Sequence, residues 1–341
     1  MNDLLRGEVR GHEIRTKGQP QYELNEPDIS TYSKFEKRYQ AQSVIYQLAN
    51  EKGEIETEND ALLGTAEKYY TKLFRKGKTN WSKQQKLLQN VGKSISAADK
   101  ATLDAHLTIE ELEKSVMSLA SNKSPGPDGI TAEFYKKFWY LFKEKFLAYL
   151  NAAKNTGFRD YRNTSSTTLI YKRKGETYEL ANYRPIALIN IDLKILTKAL
   201  SNRLRPVLPS VIHYTQTAVH GRRIDYTCHF LRDLIDLINA EDSEGAFIFL
   251  DQEKAFDRVE TDSLFKIMSA FGIGDTFIDW LRVLYKNAST KIKVNGHFTN
   301  PIPLRQGCPL SPSLYVLVIE IFALQLRINP NIVGFTIEGE K

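Results

Sequence analysis

A chain of 341 residues, 42% hydrophobic and 26% charged, has room for two or three packed units and the composition of a soluble globular protein. Its formal net charge of +6 suits a polyanionic partner without demanding one. Two cysteines, Cys228 and Cys308, exclude a disulfide framework and zinc-knuckle spacing, so a reducing intracellular setting is the default; no signal peptide, bilayer-spanning run or solenoid repeat is seen, and no membrane partner is expected.

In chain order, residues 1 to about 30 are polar and weakly periodic, which predicts a poorly anchored arm or the edge of a longer chain. Helices are predicted over 35–49 and 61–74 around a turn at Gly53, followed by a Lys-rich connector over 75–93. Thr108 with Glu111 three residues on is a capping-box pattern that opens a helix to about Ser121. Asn122-Lys123-Ser124-Pro125-Gly126-Pro127-Asp128-Gly129 then forbids regular structure and fixes a compact loop. It opens a helix in which Phe134, Phe138, Phe142 and Phe146 recur every four residues beside Trp139, a stripe that reads as core rather than as a base-stacking platform.

A strand over 167–171 leads through Lys172-Arg173-Lys174-Gly175 to Asn182-Tyr183-Arg184-Pro185-Ile186, a hairpin with a basic tip. Asn190 caps a helix to about Leu204, whose Arg203 and Arg205 read as a solvated face before they read as phosphate contacts. Cys228, Leu231, Ile235 and Ile238 mark a further amphipathic helix, and 241–245 a turn. The apolar run 246–250 is too short for a typical helix; it predicts a buried strand that delivers Asp251 to an edge, where the acid either holds a metal or caps the next helix. Helices are predicted over 262–271 and 276–285, then a hairpin of 291–294 with 298–304 turning at Asn295-Gly296. Ser311 as N-cap and Pro312 at the first helical position open a last apolar helix to about Leu326.

A strand-terminal acid, a basic hairpin upstream and a Gln-Gly loop before an apolar helix fit one reaction, template-directed nucleotidyl transfer. There carboxylates hold divalent ions, Lys and Arg neutralise the triphosphate, and a bulky residue such as Phe256 beside the sugar excludes a 2′-hydroxyl. The alternative for Phe256 is a core position on a helix.

Phe249-Leu250-Asp251-Gln252-Glu253-Lys254-Ala255-Phe256-Asp257 resembles motif A of the reverse transcriptases of non-LTR (LINE-type) retrotransposons, and Arg305-Gln306-Gly307-Cys308-Pro309-Leu310-Ser311-Pro312 resembles their motif B. Ser124 to Gly129 resembles the N-terminal extension loop, and Lys172 to Lys174 with Asn182 to Ile186 the fingers motifs, in the right order over about 108–341. The resemblance implies an α+β, right-hand polymerase fold: a mostly helical region at 1–107, then fingers and a partial palm at 108–341. It implies that Asp251 binds the catalytic Mg2+ or Mn2+ with the carbonyl of Gln252, also a nucleotide-site residue, assisting, and that Lys174 and Arg184 contact the incoming triphosphate, with Lys172 or Arg173 as alternatives to Lys174. Phe256 would be the steric gate, and Gln306 and Gly307 would line the nucleotide pocket. Ser124, Gly126, Asp128 and Lys172 would meet the template. The implied partners are an RNA template, a DNA primer and deoxynucleoside triphosphates.

One departure matters. The family needs a second carboxylate pair after motif B, yet no Asp follows Asp279 and no two aspartates are adjacent. The sequence therefore reads as a reverse transcriptase cut before its Asp-Asp hairpin and thumb and catalytically incomplete; the alternatives are an RNA-binding remnant of such an element and a relative of group II intron maturases. Lys172-Arg173-Lys174 is too short for an import signal, which leaves nucleus and cytoplasm both open, and no feature signals oligomeric state.

Overall fold

The structure is a computed structural model that describes residues 44–75, 77, 79–241, 246–303, 308–332 and 334, with the backbone alone at 256 and 257. The predicted arm and most of the first predicted helix lie outside these residues. The described part of that helix is instead extended: β1 (Leu48–Ala49) pairs antiparallel with β2 (Ile55–Glu56) across a turn in which Gly53 takes a φ of 83°. Only a glycine adopts that conformation at no steric cost, and it lets β1 turn back where a helix would have run on.

From there most of the predicted elements recur. Helices α1 (Asn59–Phe74), α2 (Trp81–Leu88), α3 (Ala97–Asp104), α4 (Ile109–Met117) and α5 (Ala132–Thr156) precede β3 (Thr164–Tyr171), β4 (Tyr183–Leu188), α6 (Ile191–Leu204), α7 (Leu208–Val211) and α8 (Ile224–Ala240). Next come α9 (Thr261–Ala270), α10 (Asp275–Tyr285), β5 (Ser289–Val294), β6 (His297–Phe298), β7 (Ile302–Pro303) and α11 (Ser311–Ile328). Of these, α2 falls within the predicted connector 75–93, α3 lies where no element was predicted, and the helix opened at Thr108 ends at Met117 and not near Ser121. The sheet runs β4-β3-β5-β6, with β7 also on β5. In β5, Thr290, Ile292 and Val294 are buried while Lys291 and Lys293 are exposed, the period of two that a strand with one wet face requires. Its turn to β6 places Asn295 at φ 49° and Gly296 at φ 90°, the pair of positive values a two-residue hairpin needs.

The chain divides into two compact units that interleave in sequence, one of residues 1–69, 167–186 and 292–300, the other of 70–166, 187–291 and 301–341. In the first, Asn295 extends the hairpin sideways: its side-chain oxygen accepts the Ile45 N–H at 2.9 Å and its amide donates to the Ile45 carbonyl at 2.7 Å. In the second, α6 is buried along most of its length and packs against α3 and α4. The α11 helix is long and apolar enough to cross a membrane, which exceeds the sequence expectation, yet Leu314, Leu317 and Ile321 are buried against the core that α9 and α2 share.

Arg203 sits on α6 where a solvated face was expected, and it is buried instead. Its guanidinium donates to both carboxylate oxygens of Glu111 at 2.6 Å and to the carbonyls of Leu103, Ala105 and His106 at 3.1, 2.5 and 2.7 Å. Glu111 also closes the capping box on Thr108, so one ion pair joins α6, the start of α4 and the end of α3. Burial pushes the Glu111 carboxyl up, but the Arg203 and Thr108 hydrogen bonds outweigh it and hold it below the usual carboxylate range.

The largest correction concerns 246–250. The segment carries no regular secondary structure, among the described residues no strand pairs with it, and Ile248, Phe249 and Leu250 are 80%, 85% and 68% exposed. A run with apolar groups on both faces needs a sheet neighbour and two covering layers, and the described residues supply neither. The α8 helix before it buries no residue either, although its apolar positions are as predicted.

Arg203→Ala removes one partner from a buried, multiply hydrogen-bonded pair and is expected to cost roughly 3–5 kcal/mol of unfolding free energy by urea titration. A loss under about 1 kcal/mol, the range of an exposed charge, would show that the pair does not organise α3, α4 and α6.

Candidate nucleic-acid interface

The loop 122–129 is held from below by Asn190, the residue that caps α6. Its side chain makes no cap hydrogen bond; the oxygen accepts the Asp128 N–H at 3.2 Å and the amide donates to the Arg162 carbonyl at 2.9 Å. Gly126 lies so close that a Cβ there would stand 2.5 Å from the Asn190 nitrogen and 2.6 Å from its Cα. Gly126 is buried, while Ser124 is exposed on the same loop. Asp128 is spent within the structure: one oxygen accepts the Ile130 N–H at 3.0 Å and the other faces Arg162 at 3.3 Å.

Arg162 reaches on to Asp192 of α6 at 3.4 Å, which makes an Asp-Arg-Asp chain under the loop. Burial pushes the Asp192 carboxyl up to about 6, despite the Leu193 N–H and the Arg162 charge. The neighbouring Tyr149 hydroxyl is buried without a hydrogen bond, and its phenol is pushed up to about 12 by burial and then by the Asp192 charge. This clamp was not legible beforehand; Asn190 was read only as a cap, and nothing in the spacing singled out Arg162.

Asp251 lies just past the uncovered segment and is exposed, making no hydrogen bond or ion pair with another described residue. Lys254 takes a φ of 49°, and a short 3-10 turn, Ala255–Arg258, carries Phe256, whose side chain lies outside the described residues. Gln252 is held by Tyr315 from the first turn of α11, the phenol donating to its side-chain oxygen at 2.7 Å. Burial, then the negative charge of Asp251, pushes the Tyr315 phenol up. Tyr315 is a site residue that the sequence reading missed; its signal was a place one turn after Ser311. Gln306 and Gly307 lie outside the described residues. Just beyond them Cys308 is partly buried, with burial pushing its thiol up and its sulfur 3.5 Å from the Ser311 hydroxyl.

The remaining predicted contacts fall in the other compact unit. Lys172, Arg173, Lys174 and Arg184 are all exposed. Lys172 continues the strand pairing through its N–H to the Asn182 carbonyl at 2.8 Å, and its ammonium donates to the Ala181 carbonyl at 2.8 Å. Arg173 at φ 58° and Gly175 at φ 79° bend the tip, which Asn182 and Tyr183 tie down through the carbonyls of Glu176 and Thr177. Neither the Lys174 nor the Arg184 side chain makes a hydrogen bond or ion pair with another described residue, so both heads are available to an anion.

Among the described residues no three His, Cys, Asp or Glu side chains come together. Asp251 stands there as a single exposed carboxylate, and the reverse transcriptases as a family use divalent metals.

Residues 170–335 match the family described as reverse transcriptase (RNA-dependent DNA polymerase), and the chain carries that domain with its palm and fingers fold. Its relatives are proteins of non-LTR retrotransposons. The chain is 31% identical over 332 residues to the transposon TX1 uncharacterized 149 kDa protein of Xenopus laevis, covering 96% of this chain and 25% of that protein. It is 25% identical to the Pol polyprotein of the type-2 retrotransposable element R2DM of Drosophila melanogaster over 67% of this chain and 21% of the relative. A probable RNA-directed DNA polymerase from transposon BS of the same fly is 23% identical over 64% of this chain and 25% of its own length. The chain thus spans about a quarter of the length of the curated relatives it matches.

Gly126→Ala is expected to cost roughly 1–3 kcal/mol in urea unfolding, because a Cβ there meets the Asn190 backbone, which cannot rotate away; an unchanged midpoint would mean the loop is not seated on Asn190. Asp192 makes a second test. Its folded value lies above the usual 3.8, so the folded state binds that proton more tightly. Its contribution is therefore full below about pH 4 and declines as pH rises towards 6 and past it, by roughly 3 kcal/mol in all. Relative to Asp192→Asn, the wild-type chain should lose stability over that window, and parallel pH profiles of the two would contradict the burial of a charged Asp192.

Proposed function

We propose that this chain is the template- and nucleotide-holding part of an RNA-directed DNA polymerase of a LINE-type retrotransposon. The observation that carries the reading is the reverse transcriptase match over 170–335, which contains an exposed carboxylate at Asp251 and a stiff hairpin with free basic heads at Lys174 and Arg184. On this reading Asp251 contributes a carboxylate to the Mg2+ or Mn2+ that the family uses, and Lys174 and Arg184 neutralise the triphosphate of an incoming deoxynucleotide. Gln252, held by Tyr315, with Phe256, Gln306 and Gly307, forms the wall around the nucleotide. Ser124 and Lys172 meet the phosphates of the RNA template, while Gly126 and Asp128 give the loop its shape. The DNA primer is the remaining partner.

Two-metal nucleotidyl transfer asks for more carboxylates than Asp251, and no adjacent pair of aspartates occurs in the sequence. The chain by itself is therefore read as binding RNA without extending a primer, and polymerisation as belonging to a polypeptide that brings the further carboxylates.

Primer extension on an RNA template with magnesium or manganese, run beside RNA binding at several salt concentrations, tests both statements. The expected result is binding that weakens steeply with salt, as phosphate contacts require, no extension, and an Asp251→Ala variant that binds RNA as the wild type does. Salt-independent binding would overturn the template reading. Extension that disappears in Asp251→Ala would show that the catalytic set is complete within these residues.

A further inference from the structure

The aromatic stripe of α5 does not lie wholly in the core. Trp139, Phe146 and Leu150 point inward and are buried, but Phe134 and Leu141 are 46% and 62% exposed and Phe138 is half-buried. On a helix, positions 134, 138, 141 and 145 share one face, with 137 at its edge, so the wet side reads Phe, Lys, Phe, Leu, Lys. The rings are ordered against one another. Phe134 lies 5.1 Å from Phe138 and stacks at 17° on Phe142, and the Lys137 ammonium stands 5.6 Å from the centre of the Phe138 ring.

Two observations say what fits this face. First, its cations, Lys137 and Lys145, are exposed beside the rings, Lys137 against the Phe138 ring, while of the nearby carboxylates Glu133 is turned back, accepting the Asn122 N–H at 2.5 Å, and Glu144 is exposed at the edge beside Lys137. Rings flanked by two ammonium groups, with one carboxylate at the edge, match a chain with flat faces and negative linkers. Second, that same Glu133 bond ties the first turn of α5 to Asn122 at the start of the loop 122–129, so the loop is fastened to the end of the helix that bears Phe134. Phe134 to Leu141 spans about 10 Å along the helix, roughly three base spacings.

We propose that this face of α5 is a stacking platform for single-stranded RNA leaving the loop 122–129, with bases lying on Phe134 and Phe138 and the strand's phosphates facing Lys137 and Lys145. The assignment rests on the reading of the chain as a template-binding protein and adds to it a place where bases, and not only phosphates, are held. Stacking is indifferent to sequence because every base has a flat face, so the platform holds any template.

The test compares the full chain with Phe134→Leu/Phe138→Leu, which keeps apolar bulk on a half-wet face and removes the rings. Fluorescence anisotropy is read with a labelled oligouridylate and with an abasic ribose-phosphate strand of equal length, alongside sedimentation of both proteins. The platform predicts that the double variant binds the oligouridylate at least roughly ten-fold more weakly and the abasic strand equally well, with an unchanged melting temperature. Equal affinity of wild type and variant for the oligouridylate would overturn the platform and leave the proposed function standing. A change in sedimentation with unchanged RNA affinity would overturn it too, and would make the face a contact between copies. A wild-type chain that binds neither strand would overturn the proposed function itself.

Discussion

The Arg203–Glu111 pair is the joint on which the larger unit is assembled. A buried guanidinium with five partners is costly to desolvate and is tolerated only when each N–H finds an acceptor. Here the acceptors come from three places: the carboxylate of Glu111 in the first turn of α4, the Leu103 carbonyl in α3, and the Ala105 and His106 carbonyls just beyond it. The pair therefore fixes how α3 and α4 meet α6 and supplies donors to three carbonyls at the end of α3, of which that of Leu103 belongs to a buried residue. With α6 held, its N-terminus is held as well, and that end bears Asn190 and Asp192.

The functional loop depends on this placement. Nothing in 122–129 is rigid by virtue of regular structure; its shape comes from Asn190 pressed against Gly126, Arg162 bridging Asp128 to Asp192, and Asp128 turned onto its own backbone. Polar groups below the loop are consumed in holding it, while Ser124 stays exposed. The motif A segment is built on the same plan, for Tyr315 occupies the Gln252 side chain and leaves Asp251 unencumbered. In both places the conspicuous motif residue is positioned by one that no motif marks.

What was legible in the sequence is what is decided locally. The capping box at Thr108 and Glu111, the turn at Asn295-Gly296, and the helices that became α9 and α10 depend on residues a few positions apart; the structure reproduces the box, the turn and both helices within one residue, while the predicted strand 298–304 is split into β6 and β7. Apart from the local turn at Gly53 and the helices α2 and α3, the failures are questions of long-range partnership. Arg203 resembled a surface cation because its acceptors lie about ninety residues upstream, 92 in the case of Glu111. Tyr315 and Gln252 are 63 residues apart, and Asn190 and Asp128 are 62. The pattern of 246–250 is a strand pattern, but a strand is a pair, and periodicity cannot say whether the partner is there. On α5, spacing identified the stripe correctly and could not say how wide the buried sector is; half of it proved to be wet.

The smaller unit has a consequence for how the chain is made. Its parts come from 44–69, 167–186 and 292–300, and Asn295 contacts Ile45 across a separation of 250 residues. At roughly 5–20 residues per second, a ribosome needs about 12 to 50 s to travel from one to the other. Through that interval β1 and β2 have emerged but the hairpin that ties them has not, while the helices of the other unit can already find one another. Assembly is thus ordered in time by the path of the chain: the segment that begins the described structure is among the last to be secured, and it waits, half-built, for the β5-β6 turn to leave the exit tunnel.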